Sequence, residues 1–181
     1  MPADIPVDYP GWYDDCFELL MTLEGIESFD HAGRTMYGIT QGFLDRKRNW
    51  KHYTVAEIDR PLAREIYFIE FWTLRNIDQI NSKATAWKVF DMMVNSGESV
   101  GAKYIQRLVN ANPDGLIGPK TIAAINKYIA RFGGIQLAER MAQEQAARYR
   151  YLVVMDAVNG YPKNLARFLD GWLRRAFTMV K

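Results

Sequence analysis

The chain has 181 residues, 49% hydrophobic and 24% charged, a balance that excludes a disordered protein and is long enough for one domain to bury a real core. One cysteine, Cys16, excludes an intramolecular disulfide framework, and with two histidines, His31 and His52, it is too little for a His/Cys zinc site. The net charge of +2 is unevenly placed: residues 1–90 carry 10 basic against 14 acidic side chains, and residues 91–181 carry 13 against 7, so an anionic partner suits the second half.

In chain order, Cys16, Phe17, Leu19, Leu20 and Leu23 recur at helical spacing and predict an amphipathic helix over about 12–25, ending at Gly25. The polar stretch from Glu27 to Thr35 has little periodicity and reads as a loop or a short irregular hairpin, with residues 35–40 leading into another helix. Thr54 and Glu57 form a capping box before Ile58, Leu62, Ile66, Ile69 and Trp72, and Pro61 implies a kink or a late start. Ser82 caps a helix bearing Trp87, Phe90, Met93 and Val94, which stops at Gly97. Another helix spans about 101–109 and is closed by the turn signal Asn112-Pro113-Asp114-Gly115. Gly118-Pro119 opens the next, Gly133-Gly134 breaks it, and residues 135–158 form the longest helical stretch. Asn159-Gly160-Tyr161-Pro162 ends that stretch, and Leu165 to Phe177 closes the chain. The prediction is a mainly α, single-domain protein.

No apolar run approaches the ~20 residues a membrane span needs, so no stable membrane insertion is expected. The first residues lack the basic and apolar regions of a secretory signal. Basic residues are mostly spaced singly, with Arg46-Lys47-Arg48 the one triplet, so nucleic acid is not the expected partner. Nothing in the composition asks for a metal or a cofactor.

The residue that stands out chemically is Glu24. A carboxylate in the last turn of an apolar helix faces the negative end of the macrodipole, which favours its protonated form. That is what a general acid requires; the plainer reading is an exposed glutamate that tolerates the dipole. Asp30, six residues on, is a candidate second carboxylate. Thr35, Tyr37 and Thr40 add hydroxyls able to hold a water or a sugar hydroxyl, or to make local bonds to backbone. Asp91 and Asn95 share one face of an apolar helix, either as buried hydrogen-bonding groups or as substrate contacts. Cys16 and the Met92-Met93 pair read as core.

With Glu24-Gly25 followed by Tyr37-Gly38-Ile39-Thr40, the chain resembles the N-acetylmuramidases of glycoside hydrolase family 108. Phe90-Asp91-Met92-Met93-Val94-Asn95-Ser96-Gly97, Ile105-Gln106 and Asp114-Gly115-Leu116-Ile117-Gly118-Pro119-Lys120-Thr121 resemble that family's C-terminal peptidoglycan-binding region in order and spacing. Phe168-Leu169-Asp170-Gly171-Trp172 and Arg175 are similar to its closing helix. Two departures stand out: Ile26 replaces the second glycine of the family's Glu-Gly-Gly, and the loop to Gly38 is shorter. Phe29 and His31 replace the neighbours of the aspartate with which Asp30 aligns.

The resemblance implies a mainly α, lysozyme-like fold with a catalytic lobe over about 13–85 and a peptidoglycan-binding lobe over about 86–177. It implies hydrolysis of the β-1,4 bond between N-acetylmuramic acid and N-acetylglucosamine, with Glu24 as general acid and Asp30, Thr35 or Thr40 positioning the attacking water. Tyr37, Trp50, Tyr53 and Asn95 are the expected substrate contacts, and bacterial peptidoglycan is the expected partner of a monomer. Family members include phage endolysins, made in the host cytoplasm and released to the wall by a holin, and secretion-linked bacterial muramidases. A lytic transglycosylase and a non-catalytic wall-binding protein are the alternatives.

Overall fold

The computed structural model describes residues 11–30, 33–160 and 163–180, with the side chains of 27–30 and 33 excepted. The chain divides into two compact units, residues 1–73 and 74–181. Both are mainly helical.

In the first unit, α1 (Gly11–Glu24) buries Tyr13, Cys16, Phe17, Leu20 and Met21, the i, i+3, i+4 stripe expected of a helix laid on a core. It stops where Gly25 takes φ +74°, a left-handed value that glycine adopts without penalty. The Tyr13 ring lies 4.9 Å from Phe68 and 5.3 Å from Trp72, and its hydroxyl donates to the Arg64 carbonyl. Ion pairs Asp14–Arg64 and Glu18–Arg60 run alongside.

The segment read as a loop or irregular hairpin is a regular three-stranded antiparallel sheet of β1 (Glu27–Asp30), β2 (Gly33–Met36) and β3 (Ile39–Thr40). Its register pairs Ser28 with Thr35 and Thr35 with Thr40. Thr40 then caps α2 (Gln41–Arg46), its hydroxyl oxygen accepting from the Phe43 N–H at 3.1 Å.

The capping box of Thr54 and Glu57 opens only a single 3-10 turn, Val55–Glu57. The helix proper, α3 (Arg60–Tyr67), starts late, with the Asp59 carboxylate accepting from the Leu62 N–H and Pro61 in the first turn. There the missing proline N–H costs nothing. α3 widens into a π-helical segment, Phe68–Thr73.

The second unit contains α4 (Lys83–Ser96), α5 (Glu98–Leu108), α6 (Pro119–Phe132), α7 (Gly134–Val158) and α8 (Leu169–Phe177). α5 begins earlier than expected, directly after Gly97. The Tyr161-Pro162 part of the predicted break lies outside the described residues. The lobe boundary drawn near residue 85 falls within α4, and residues 74–85 group with the second unit.

Two buried polar networks organise this unit. In one, Lys88 Nζ donates to Asp91 Oδ2, Gln145 Oε1 and the Ala176 carbonyl at 3.2, 2.7 and 2.8 Å, and Arg175 Nε donates to Asp91 Oδ1 at 2.8 Å. α4, α7 and α8 are thereby tied together. Burial pushes the Lys88 ammonium below the usual lysine range, against the pull of Asp91. The network continues through Gln145 to the Tyr149 hydroxyl, which donates to Asn95 Oδ1 at 2.6 Å.

In the other, Gln106 is wholly buried. Its amide nitrogen donates to Asp114 Oδ1, the Leu116 carbonyl and Thr121 Oγ1, and its oxygen accepts from the Gly115 N–H. The Asp-Gly-x-Ile-Gly-Pro-x-Thr motif is thus wound around one side chain.

Gln106→Ala should lower stability by about 3 kcal/mol, because it strands several inward-facing polar groups at once; urea unfolding measures this. A second prediction concerns pH. Burial, with the Asp91 carboxylate nearby, pushes the Tyr149 phenol up to about 12. Tyrosine in the unfolded chain ionises near ~10, so the folded state holds this proton more tightly. That contribution is complete below the unfolded value and is lost as pH rises from ~10 towards ~12, up to about 2 kcal/mol. The stability gap between wild type and Tyr149→Phe should therefore narrow between roughly pH 9 and pH 11.5.

Candidate active site

The candidate site is built where α1 ends against the sheet. The β2–β3 connection is two residues long, Tyr37 and Gly38, with φ of +50° and +78°, the pair of positive values that a type I′ hairpin turn requires. On one side Ile39 is buried. Thr35 and Thr40 stand directly opposite each other in the register, so their side chains share a face. Both are half-buried.

Gly38 is hemmed in. A Cβ there would stand 2.7 Å from the Tyr67 hydroxyl oxygen and 2.9 Å from Glu24 Oε2. The Glu24 carboxylate and the Tyr67 phenol thus converge on the same face of the turn. The Tyr67 hydroxyl, on α3, donates to the Tyr37 carbonyl at 2.9 Å and fixes the turn at that distance. Glu24 is half-buried at the helix end.

Of the expected site residues, Glu24, Thr35, Tyr37 and Thr40 come together around this hairpin. The Asp30 backbone ends β1, paired with Gly33; its side chain lies outside the described part. Tyr53 is half-buried, its ring 4.3 Å from that of His52. Trp50 corrects the expectation of a sugar-stacking surface: it is only 5% exposed, and its indole N–H donates to Glu70 Oε1 at 2.8 Å. Asn95 belongs to the second unit, where its side-chain oxygen accepts from Tyr149.

Sequence reasoning passed over Tyr67 and Glu70. Glu70 is buried on the π-helical segment, with Lys47 Nζ 2.9 Å from Oε2; its two oxygens clamp the 47–50 loop, a structural use of a carboxylate. A lone acid in the apolar run Ile66–Trp72 was a readable signal for a buried, paired charge. Tyr67 carried no such signal, since an aromatic in that run reads as core. Among the described residues, no three His, Cys, Asp or Glu side chains gather as a metal would need.

Gly38→Ala should cost about 2 kcal/mol, from the left-handed backbone and the two close contacts. Adding Tyr67→Phe removes the nearer oxygen, so the double variant should be more stable than the sum of the single losses predicts. Thermal unfolding of the three variants checks this; strict additivity would place the clash elsewhere.

Residues 17–97, which include the whole hairpin and Glu24, match the family described as glycosyl hydrolase 108. Residues 100–177 match the one described as predicted peptidoglycan domain. Among solved structures, the fold is similar to that of SagA from Brucella abortus, with a TM-score of 0.63 and 23% identity over 93% of this chain and 97% of that one. No curated protein matches. The two matches, in this order along the chain, support a glycosidase acting on peptidoglycan.

Proposed function

We propose that this protein is an N-acetylmuramidase that hydrolyses the β-1,4 bond between N-acetylmuramic acid and N-acetylglucosamine, with Glu24 as general acid. The observation that carries the reading is the approach of the Glu24 carboxylate to the hairpin turn at Gly38, within the region matched to the hydrolase family. Glu24 protonates the glycosidic oxygen as the bond to the anomeric carbon breaks, and water attacks the oxocarbenium-like centre.

Thr35 and Thr40 form the opposing hydroxyl pair next to that turn and position the water. The Thr40 cap uses a lone pair of its oxygen, so the hydroxyl hydrogen remains to be donated. Asp30, at the end of β1, is the candidate to take the proton from the water. Tyr37 and Tyr53 supply half-exposed rings for the sugars. Tyr67 acts through the turn: its bond to the Tyr37 carbonyl keeps Gly38, and with it Glu24, in place.

Glu24→Gln should lower the release of muropeptides from purified peptidoglycan by roughly 10²–10⁴-fold, the usual worth of general-acid help. Mass analysis of the products reads the chemistry. Reducing muramic ends from wild type support the hydrolase, whereas 1,6-anhydro ends identify a transglycosylase. Wall binding without release by either protein overturns the enzymatic reading in favour of a binding module.

A further inference from the structure

On the second unit a groove of about 300 Å³ opens between the start of the unit, the first turn of α5 and the turn at Gly115–Gly118. Leu74 and Leu116, 52% and 73% exposed, give it apolar walls. Arg75 and Glu98 meet within it as an ion pair, each side chain about three-tenths exposed. Its frame is preformed, which is the rule for ligand sites. Asn76 Nδ2 donates to the Ile117 carbonyl at 2.6 Å, and Gln106 holds the turn from behind. One wall is bare backbone, because a Cβ at Gly115 would run into Ser99.

The two charges decide what fits. A neutral sugar would have to break the ion pair with no charge to give in return. A lone anion satisfies Arg75 and strands Glu98, and a lone cation does the reverse. A zwitterion replaces both halves, and a partly exposed pair is surrendered at little cost. Arg75 Nη1 donates to the Leu74 carbonyl at 3.4 Å and Nη2 meets Glu98, so a ligand carboxylate would take the place of Glu98 on the guanidinium.

We propose that this groove binds the peptide stem of peptidoglycan at a free zwitterionic amino-acid centre, such as the unlinked end of a diaminopimelate residue. Its carboxylate pairs with Arg75, its ammonium with Glu98, and its methylene chain lies along Leu74 and Leu116. This rests on the reading of peptidoglycan as substrate and adds a recognition site for its peptide, separate from the glycan chemistry at Glu24.

The test is calorimetric titration of the wild-type chain with the tripeptide L-alanyl-γ-D-glutamyl-meso-diaminopimelate. Two comparison peptides are the same molecule N-acetylated at the free amine and the lysine analogue, which keeps the ammonium but lacks the carboxylate. Each should bind about tenfold more weakly than the parent, as should the parent to Glu98→Gln or Arg75→Lys. The peptide comparisons need no variant to fold. Absent binding of the parent, equal binding of all three peptides, or indifference to both substitutions overturns the proposal. Wall digestion by the wild type is read separately. A chain that digests wall but ignores the tripeptide loses this inference alone, and one that binds the tripeptide but releases no saccharide loses the hydrolase reading alone.

Discussion

At Gly38 the hairpin comes closer to its neighbours than any side chain would permit, and much of the first unit is arranged around that approach. A turn with two consecutive positive φ values can put its backbone against α1 and α3 only with a residue that has no Cβ. The Tyr67 hydroxyl closes the distance from one side, and the Glu24 carboxylate lies against it from the other. Ile39 buries the far side of the turn, and Thr40, one residue on, ends the strand by starting α2. Three consecutive residues, Gly38-Ile39-Thr40, thus set a close contact, an anchor and a cap. This arrangement brings the helix end at Glu24 against the turn.

The second unit solves a different problem. It carries buried charge: Lys88 and Asp91 are wholly buried, with Arg175 close to it. Isolated, each would cost several kcal/mol; together with Gln145 and a backbone carbonyl they neutralise one another and join three helices distant in sequence. Its surface is strongly basic, with 16 basic against 8 acidic side chains over residues 74–181, whereas residues 1–73 carry 7 against 13. The former charge suits an anionic polymer such as the bacterial wall, whereas the latter unit carries the surplus of carboxylates.

The sequence made the helices legible because their signals were local. Ser82, Pro119 and the glycines 97 and 133 stand at helix ends in the structure, and each acts through its own backbone neighbours. The sheet was harder, since four- and two-residue strands are too short for an alternating pattern to emerge. Glu24 stood out from the mismatch between a carboxylate and its place in a helix, and its carboxylate lies against Gly38. Trp50 was misjudged because an aromatic in a polar loop looks like a surface platform; only its partner Glu70, twenty residues away, shows that it is core. Tyr67 and Gln106 escaped for the same reason: their roles depend on non-local hydrogen bonds, which no window of sequence contains. Asp91 and Asn95 read either as buried groups or as substrate contacts, and their partners Gln145, Arg175 and Tyr149 lie on other helices.

The dependence of the Asp-Gly-x-Ile-Gly-Pro-x-Thr motif on Gln106 bears on how such motifs are used to assign function. Several of its fixed positions serve the loop itself: Asp114 and Thr121 bond to the glutamine, Ile117 is buried, and Gly115 has no room for a side chain. Its two variable positions, Leu116 and Lys120, are both exposed. A search with the motif therefore retrieves proteins that fold a loop in the same way, whatever they bind. Ligand choice is free to diverge at the two positions the pattern leaves blank and on the segments that border them, so modules sharing the signature need not share a specificity.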